Sequence, residues 1–301
     1  MDLTSNPSFI AGRIGIVGLG LMGGSFAKAE HAAGHEVYAW NRTPATLELA
    51  MVETVDGPLT DEAISTCELI VLAGYPQFSI DWLSEKAPLI SAGAIVIDTN
   101  GVKRVICEHC FKIAEKWPFT FIGCHPMAGT QYSGFEHART NMFHGAPMVV
   151  VAPSHMDDIE RAECLRRLKE LLEPCGFGSW TLTSAEEHDR MIAYTSQLAH
   201  IVSNAYVKSP QALRHKGFSA GSYKDLTRVA RLNATMWTEL FLDNADNLSA
   251  ELSLIIARLE EYRDALDAHD EGRLHDLLAE GDRLKRQAEA QTSHPQQEGS
   301  S

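Results

Sequence analysis

Basic residues are in short supply: 26 Lys and Arg stand against 40 Asp and Glu, a formal charge of −14. Nucleic acid needs a cationic surplus that displaces its counterions, so no nucleic-acid partner is expected, although a small anionic metabolite needs only one or two local guanidiniums. Long apolar runs are missing too. None approaches the roughly 20 residues that cross a bilayer, so no membrane partner is expected either. The opening residues MDLTSNPSFIAG lack a basic segment followed by an apolar one, which leads to the expectation of a cytoplasmic protein. Cysteine is sparse, with six in 301 residues, and reads as reduced thiols rather than a disulfide framework. No internal repeat or low-complexity block occurs before the polar stretch QTSHPQQEGSS, 291–301, which is expected to be a disordered tail.

What the chain does have is alternation. RIGIVG, EVYAW, LIVLAG, AIVIDT, FTFIG and PMVVVAP are short, nearly continuous apolar runs, several closed by Gly, Asp or Pro. Strands covered on both faces read this way, and the segments between them are long enough for crossover helices. The first part therefore predicts parallel strands in a doubly wound α/β sheet of Rossmann type. Beyond GSWTLT, 178–183, apolar residues recur every three or four positions, first in AEEHDRMIAYTSQLAHIVSNAY and then in ELSLIIARLEEYRDALDAHDEGRLHDLLAEGDRLKRQAE. That is helical periodicity. The expected division is a dinucleotide-binding domain over 1–182 and an all-helical, substrate-binding and dimerising domain over 183–290. Ser184, with Glu187 three residues on, would open the second as a capping box. Long amphipathic helices need a covering surface, which makes a homodimer the expected assembly.

Three stretches carry chemistry. GLGLMGGS sets Gly18, Gly20 and Gly23 in the spacing GxGxxG between the strand RIGIV and a helix beginning LMGGSFAKAEHAAG. Glycines there permit a tight turn and close approach of a pyrophosphate, which the helix N-terminus stabilises, so Gly18, Gly20, Leu21, Met22 and Gly23 are expected at the cofactor. The second strand ends EVYAWNRT. Where an NAD site usually places Asp or Glu on the ribose, Asn41 removes the negative charge, Arg42 adds a positive one and Thr43 adds a donor, so NADP is expected over NAD. The strand ends LAGYP, with Gly74, Tyr75 and Pro76, and DTNGVK, with Asn100, should line the same crevice. FTFIGCHPMAG then brings His125 to the next strand end, where an imidazole beside a nicotinamide can take the proton of an alcohol as hydride leaves its carbon. A competing use of nearby residues is zinc, since CEHC (Cys107, His109, Cys110) precedes Cys124 and His125 at loosely suitable spacing. A helix over 102–116 would instead bury Cys107 and Cys110 on one face, with Cys124 in the next strand, and no metal is expected.

The chain resembles the prephenate and arogenate dehydrogenases of tyrosine biosynthesis along nearly its whole length. The resemblance rests on GLGLMGGS, HPMAGTQYSG with NMFHGAP, EEHDRMIAYTSQLAH, and SYKDLTRVARLNATMWTELFLDN. It implies a nucleotide-binding domain followed by a dimerising helical one, and oxidative decarboxylation of a cyclohexadienyl dicarboxylate. By the same resemblance His125 is the catalytic His on the ring hydroxyl, and Arg228 anchors a substrate carboxylate. Thr130 is a pocket hydroxyl and His200 lies near the substrate side chain. Lys224, Asp225 and Trp237 lie at the pocket rim, Asp225 in an ionic gate.

Departures from the family pattern fall in the pocket. Gly101 replaces a Ser, with Asn100 as the available substitute; Gln131 stands where some members carry Glu; Gln197 stands where many have His. These changes bear on the side chain that separates keto from amino substrates, and a modified, amino-substituted prephenate is an alternative substrate. A β-hydroxyacid dehydrogenase shares GLGLMG and NRT but uses a Lys on the first long helix of its second domain, where this chain has none before Lys208. A non-catalytic nucleotide sensor is suggested only by the missing Ser.

Overall fold

The computed structural model describes residues 9–130, 132–218 and 220–292. Among them eight strands form one sheet: β1 (Arg13–Val17), β2 (Glu36–Trp40), β3 (Gly57–Pro58), β4 (Leu69–Leu72), β5 (Ile95–Asp98), β6 (Thr120–Pro126), β7 (Pro147–Val151) and β8 (Ser179–Leu182). Their spatial order is β3-β2-β1-β4-β5-β6-β7-β8. Helices α1 (Leu21–Ala32), α2 (Pro44–Glu53), α3 (Asp61–Ile64), α4 (Pro76–Lys86), α5 (Arg104–Ala114) and α6 (Asp158–Leu171) connect them. Successive strand residues point to opposite faces. Ile14, Ile16, Leu69, Val71, Ile95 and Ile97 accordingly bury into one apolar layer, and Val17, Ile70, Leu72 and Val96 into the other.

The doubly wound Rossmann-type sheet is as expected, with one correction: β7, expected parallel, runs antiparallel to β6, with His125 opposite Val149. Among its described residues the connection between the two strands holds only a single helical turn, Phe135–His137. A parallel return needs a crossover of a dozen or more residues, usually helical, whereas an antiparallel one does not. The strands β3 and β8 were not among the runs read from the sequence; β3 is two residues long, and half of β8 is polar.

After β8 the chain is helical: α7 (Ala185–Ile192), a π-helical segment Ala193–Leu198, α8 (Ala199–Tyr206), α9 (Gly221–Thr227), α10 (Ala234–Leu242), α11 (Ala245–Asp267) and α12 (Glu271–Thr292). Ser184 caps α7, its hydroxyl accepting from Glu187 N at 3.1 Å. The other half of the expected capping box is not made, because the Glu187 carboxylate pairs with Arg190 one turn on. The chain packs as two compact units that divide between Asn247 and Leu248. The sheet and α7 to α10 lie in the first. In the second, Ala265 and Leu277 are buried and Tyr262 donates its hydroxyl to Leu277 O at 3.2 Å, while Leu254, Leu259, Leu266 and Leu278 stay exposed. Of the expected tail, residues 291 and 292 continue α12 and the remainder lies outside the described residues. No helix among the described residues is long and apolar enough to cross a membrane.

Candidate active site

β1 pairs with β2 on one side and β4 on the other, so the strand order reverses there and a crevice opens beyond the strand ends. The glycine turn fills its floor. Gly18 sits at φ +100°, and a Cβ on it would stand 2.9 Å from Ala73 O. A Cβ on Gly23 would meet Gly18 O at 1.9 Å, so only glycine lets α1 pack onto the turn. At Gly20 the same test meets nothing within 4 Å, and no side chain caps the N-terminus of α1. An open cradle beside uncapped N–H groups at the positive end of a helix fits a pyrophosphate.

The neighbouring strand ends add to this cradle. Asn41 accepts from Leu19 N at 2.9 Å and donates to Thr43 O at 3.1 Å, tying the glycine turn to the loop after β2. Arg42 and Thr43 are exposed. Gly74 follows β4, Tyr75 is the N-cap of α4, and Pro76 is its first residue. Glu239 of α10 accepts from Gln77 N at 3.2 Å, which holds α10 to the start of α4. Asn100 is buried just beyond β5, its N–H on Asp98 Oδ2 at 2.9 Å, and its Nδ2 has no partner among the described residues. A buried donor without an acceptor is costly, and an oxygen of a bound nucleotide would satisfy it.

Next to this crevice lies a cavity of about 530 Å³. His125, Thr130, Gln197, His200, Arg228 and Trp237 all line it, together with Met22 of α1 and Gly101. Arg231, which the sequence reading passed over, lines it too. Among the described lining residues there are two guanidiniums and no carboxylate. That contrasts with the chain's formal charge of −14 and suits a dianion. Lys224 and Asp225 are exposed on α9 and do not contribute to this lining; Gln131 lies outside the described residues.

His125 ends β6 half-buried. Its Nδ1 lies 2.9 Å from His188 Nε2, and His188 Nδ1 lies 2.7 Å from Asp189 Oδ1. Asp189, fully buried, also accepts from Lys103 N at 2.7 Å and Arg104 N at 2.9 Å, capping α5 from α7. Lys103, itself fully buried, pairs with Asp98 of β5, which also accepts from Cys124 N at 3.0 Å. Burial above all, then His188 and Lys103, holds the His125 pKa well below the ordinary histidine range. Neutral His125 has a free ring nitrogen at physiological pH, which a general base requires.

Other side chains are committed to the scaffold. Gln197 donates to Leu240 O at 2.9 Å and accepts from Asn244 Nδ2 at 2.7 Å, so its amide is spent on bracing the cavity wall. His200 Nδ1 lies 2.8 Å from Ser196 O, and its ring sits 4.1 Å from Trp237. Thr130 accepts from Tyr132 N at 3.2 Å. Cys107, Cys110 and Cys124 are buried, with burial pushing each thiol up, and His109 turns back to its own helix at Val105 O, 2.8 Å away. Their environment is that of structural thiols.

His188, Asp189, Asp98 and Lys103 were missed by the sequence reading. The signal for the first two was present: Ala185, His188, Asp189 and Ile192 form the buried stripe of α7, so a polar pair sits where the helical period calls for apolar residues.

Two family models match the chain one after the other. The family model described as prephenate dehydrogenase, nucleotide-binding domain, matches residues 26–177, and that described as prephenate dehydrogenase, dimerization domain, matches 184–280. A cyclohexadienyl dehydrogenase of Zymomonas mobilis is 27% identical over 85% of this chain and 89% of its own. The crystal structure of Synechocystis arogenate dehydrogenase is 29% identical, with a TM-score of 0.74 over 91% of this chain and 99% of its own. That of prephenate dehydrogenase from A. aeolicus, in complex with hydroxyphenyl propionate and NAD+, is 25% identical, with a TM-score of 0.78 over 93% and 99%. Matched in order by both models of one family, and followed by solved members over nine-tenths of its length, the chain belongs to the prephenate dehydrogenases, nicotinamide-dependent oxidoreductases.

Proposed function

We propose that this protein carries out NADP-dependent oxidative decarboxylation of prephenate, within aromatic amino acid biosynthesis, with the keto substrate preferred over its amino counterpart arogenate. The observation that carries the reading is the cavity itself, where His125 shares one lining with Arg228 and Arg231 and no described residue offers a carboxylate. Prephenate presents two carboxylates and a ring hydroxyl. Arg228, which the family resemblance assigns to a substrate carboxylate, takes the ring carboxylate in this reading, and Arg231 is the available partner for the second, on the side chain. An amino side chain would bring a cation into a wall that already holds two.

His125 does the proton work. Its unbonded ring nitrogen accepts the proton of the ring hydroxyl, and burial keeps that nitrogen unprotonated beforehand. The nicotinamide, when bound, supplies the hydride acceptor. Arg228 holds the carboxylate until the ring carbon–carbon bond breaks and carbon dioxide leaves, and aromatisation makes the step favourable. Trp237 and His200, in tilted ring contact at 4.1 Å, form one side of the cavity, which excludes water and orients the ring. The hydroxyphenyl propionate of the A. aeolicus complex carries a phenolic hydroxyl and a side-chain carboxylate, two of the three groups invoked here.

For the cofactor, the glycine cradle would hold the pyrophosphate and Asn100 Nδ2 a polar group of the bound nucleotide. Arg42, exposed and without an acidic partner among the described residues, would hold a 2′-phosphate. The exposed leucines of α11 and α12 favour a homodimer. Initial rates with prephenate and arogenate, each with NADP and NAD, test the reading. Highest kcat/KM for prephenate with NADP is expected; preference for arogenate would overturn the substrate assignment, and preference for NAD the role of Arg42.

A further inference from the structure

Asp189 decides the order of donors in the chain of rings that ends at His125. Its carboxylate accepts the N–H groups of Lys103 and Arg104 and so acts there as an acceptor. The ring nitrogen 2.7 Å from it, His188 Nδ1, must therefore be the donor. In a neutral ring one nitrogen then remains bare, so His188 Nε2 is an acceptor. The nitrogen facing it at 2.9 Å, His125 Nδ1, carries a hydrogen. His125 Nε2 is left bare, without a partner among the described residues, at the cavity wall.

We propose that His188 is a positioning residue that, anchored by Asp189, locks His125 in the tautomer with Nε2 unprotonated and steadies the imidazolium formed when that nitrogen takes up a proton. This rests on His125 being the base of the proposed reaction. No proton has to travel along the chain. The O–H bond of the substrate breaks, an N–H bond forms at His125 Nε2, and the positive charge is met by His188 Nε2 accepting from Nδ1, with the Asp189 carboxylate behind it. The remaining charged groups around His125 are Lys103 and Asp98, paired with each other, and Arg228 across the cavity. None of them gives Nδ1 an acceptor. His188 does, and it is buried, with 3% of its surface exposed, so water does not readily replace it. Its position matters as well: α7 passes directly into the π-helical segment that supplies Ser196 and Gln197 to the cavity, and π-helical turns occur frequently at functional sites.

The test compares His188→Phe, which fills the space but accepts nothing, with His188→Gln, whose side-chain oxygen can accept from His125 Nδ1. With prephenate, kcat of the Phe variant should fall on the order of 100-fold, with KM changed less than about threefold, and Gln should recover about tenfold of the loss. Equal kcat in wild type and a folded Phe variant, or equal loss in Phe and Gln, would overturn the proposal. Nitrogen-15 correlation spectra of the wild-type rings, assigned with His125→Asn, give a second readout that needs neither a folded His188 variant nor turnover. Protonated Nδ1 and bare Nε2 on His125 are expected, and the opposite tautomer would sink the idea. If the wild type turned over none of the cyclohexadienyl substrates, the proposed reaction would fall, while the spectra would still report whether the lock exists.

Discussion

A half-buried imidazole with a depressed pKa makes a base that works in mild acid. Protonation of His125 abolishes its acceptor nitrogen, so activity is lost as pH falls through the lowered pKa and is unaffected as pH rises above it. With burial first, then His188 and Lys103, holding the value down, the acid limb of kcat/KM should lie below about 6.5, the ordinary histidine value. A pH–rate profile with that limb above neutrality would contradict the environment described. His125→Asn should lower kcat by roughly two to four orders of magnitude with KM little changed. Arg228→Ala and Arg231→Ala should act the other way, raising KM for prephenate at least about tenfold each, because each would leave a carboxylate unpaired. An unchanged KM in either would remove that residue from substrate binding.

At the level of elements, the glycine turn allows two substitutions with opposite expectations. Gly20→Ala adds a methyl into open space, so melting should change by less than about 0.5 kcal/mol, yet nucleotide affinity should fall at least about tenfold because the methyl occupies the cradle. Gly23→Ala drives a methyl onto Gly18 O and should destabilise the fold by about 1–3 kcal/mol. Calorimetry and nucleotide titration separate the two, and equal effects would mean that the turn has no ligand-facing side. Periodicity made the alternation of strand and helix legible, and GxGxxG in its strand-to-helix context located this turn. Strand direction was legible only indirectly: PMVVVAP reads the same either way, and the missing crossover helix in HPMAGTQYSGFEHARTNMFHGAP was the usable sign. His125 stood out because it ends an apolar run. His188 and Asp189 were legible only as a polar pair on the apolar stripe of α7, and what they do is clear only once their partners on β6 and α5 are known.

At the scale of the whole molecule, net acidity and a cationic cavity belong together. The surface repels anions in general, while Arg228 and Arg231 concentrate attraction where the substrate must bind, so the substrate's KM should rise with ionic strength more than that of a neutral ligand would. The exposed leucines of α11 and α12 lead us to expect twice the chain mass of 33.1 kDa in sedimentation equilibrium, and a monomer at micromolar concentration would count against a homodimer. The central claim is that His125 and the arginines of one cavity act together on a single cyclohexadienyl dianion. Its most direct test is nicotinamide reduction by wild type, His125→Asn and Arg228→Ala, monitored together with carbon dioxide release from ring-carboxyl-labelled prephenate. We expect reduction and release in equal amounts in the wild type, both nearly abolished in His125→Asn at saturating substrate, and both restored in Arg228→Ala by raising substrate. Wild-type reduction without release, or full activity of His125→Asn, would contradict the claim.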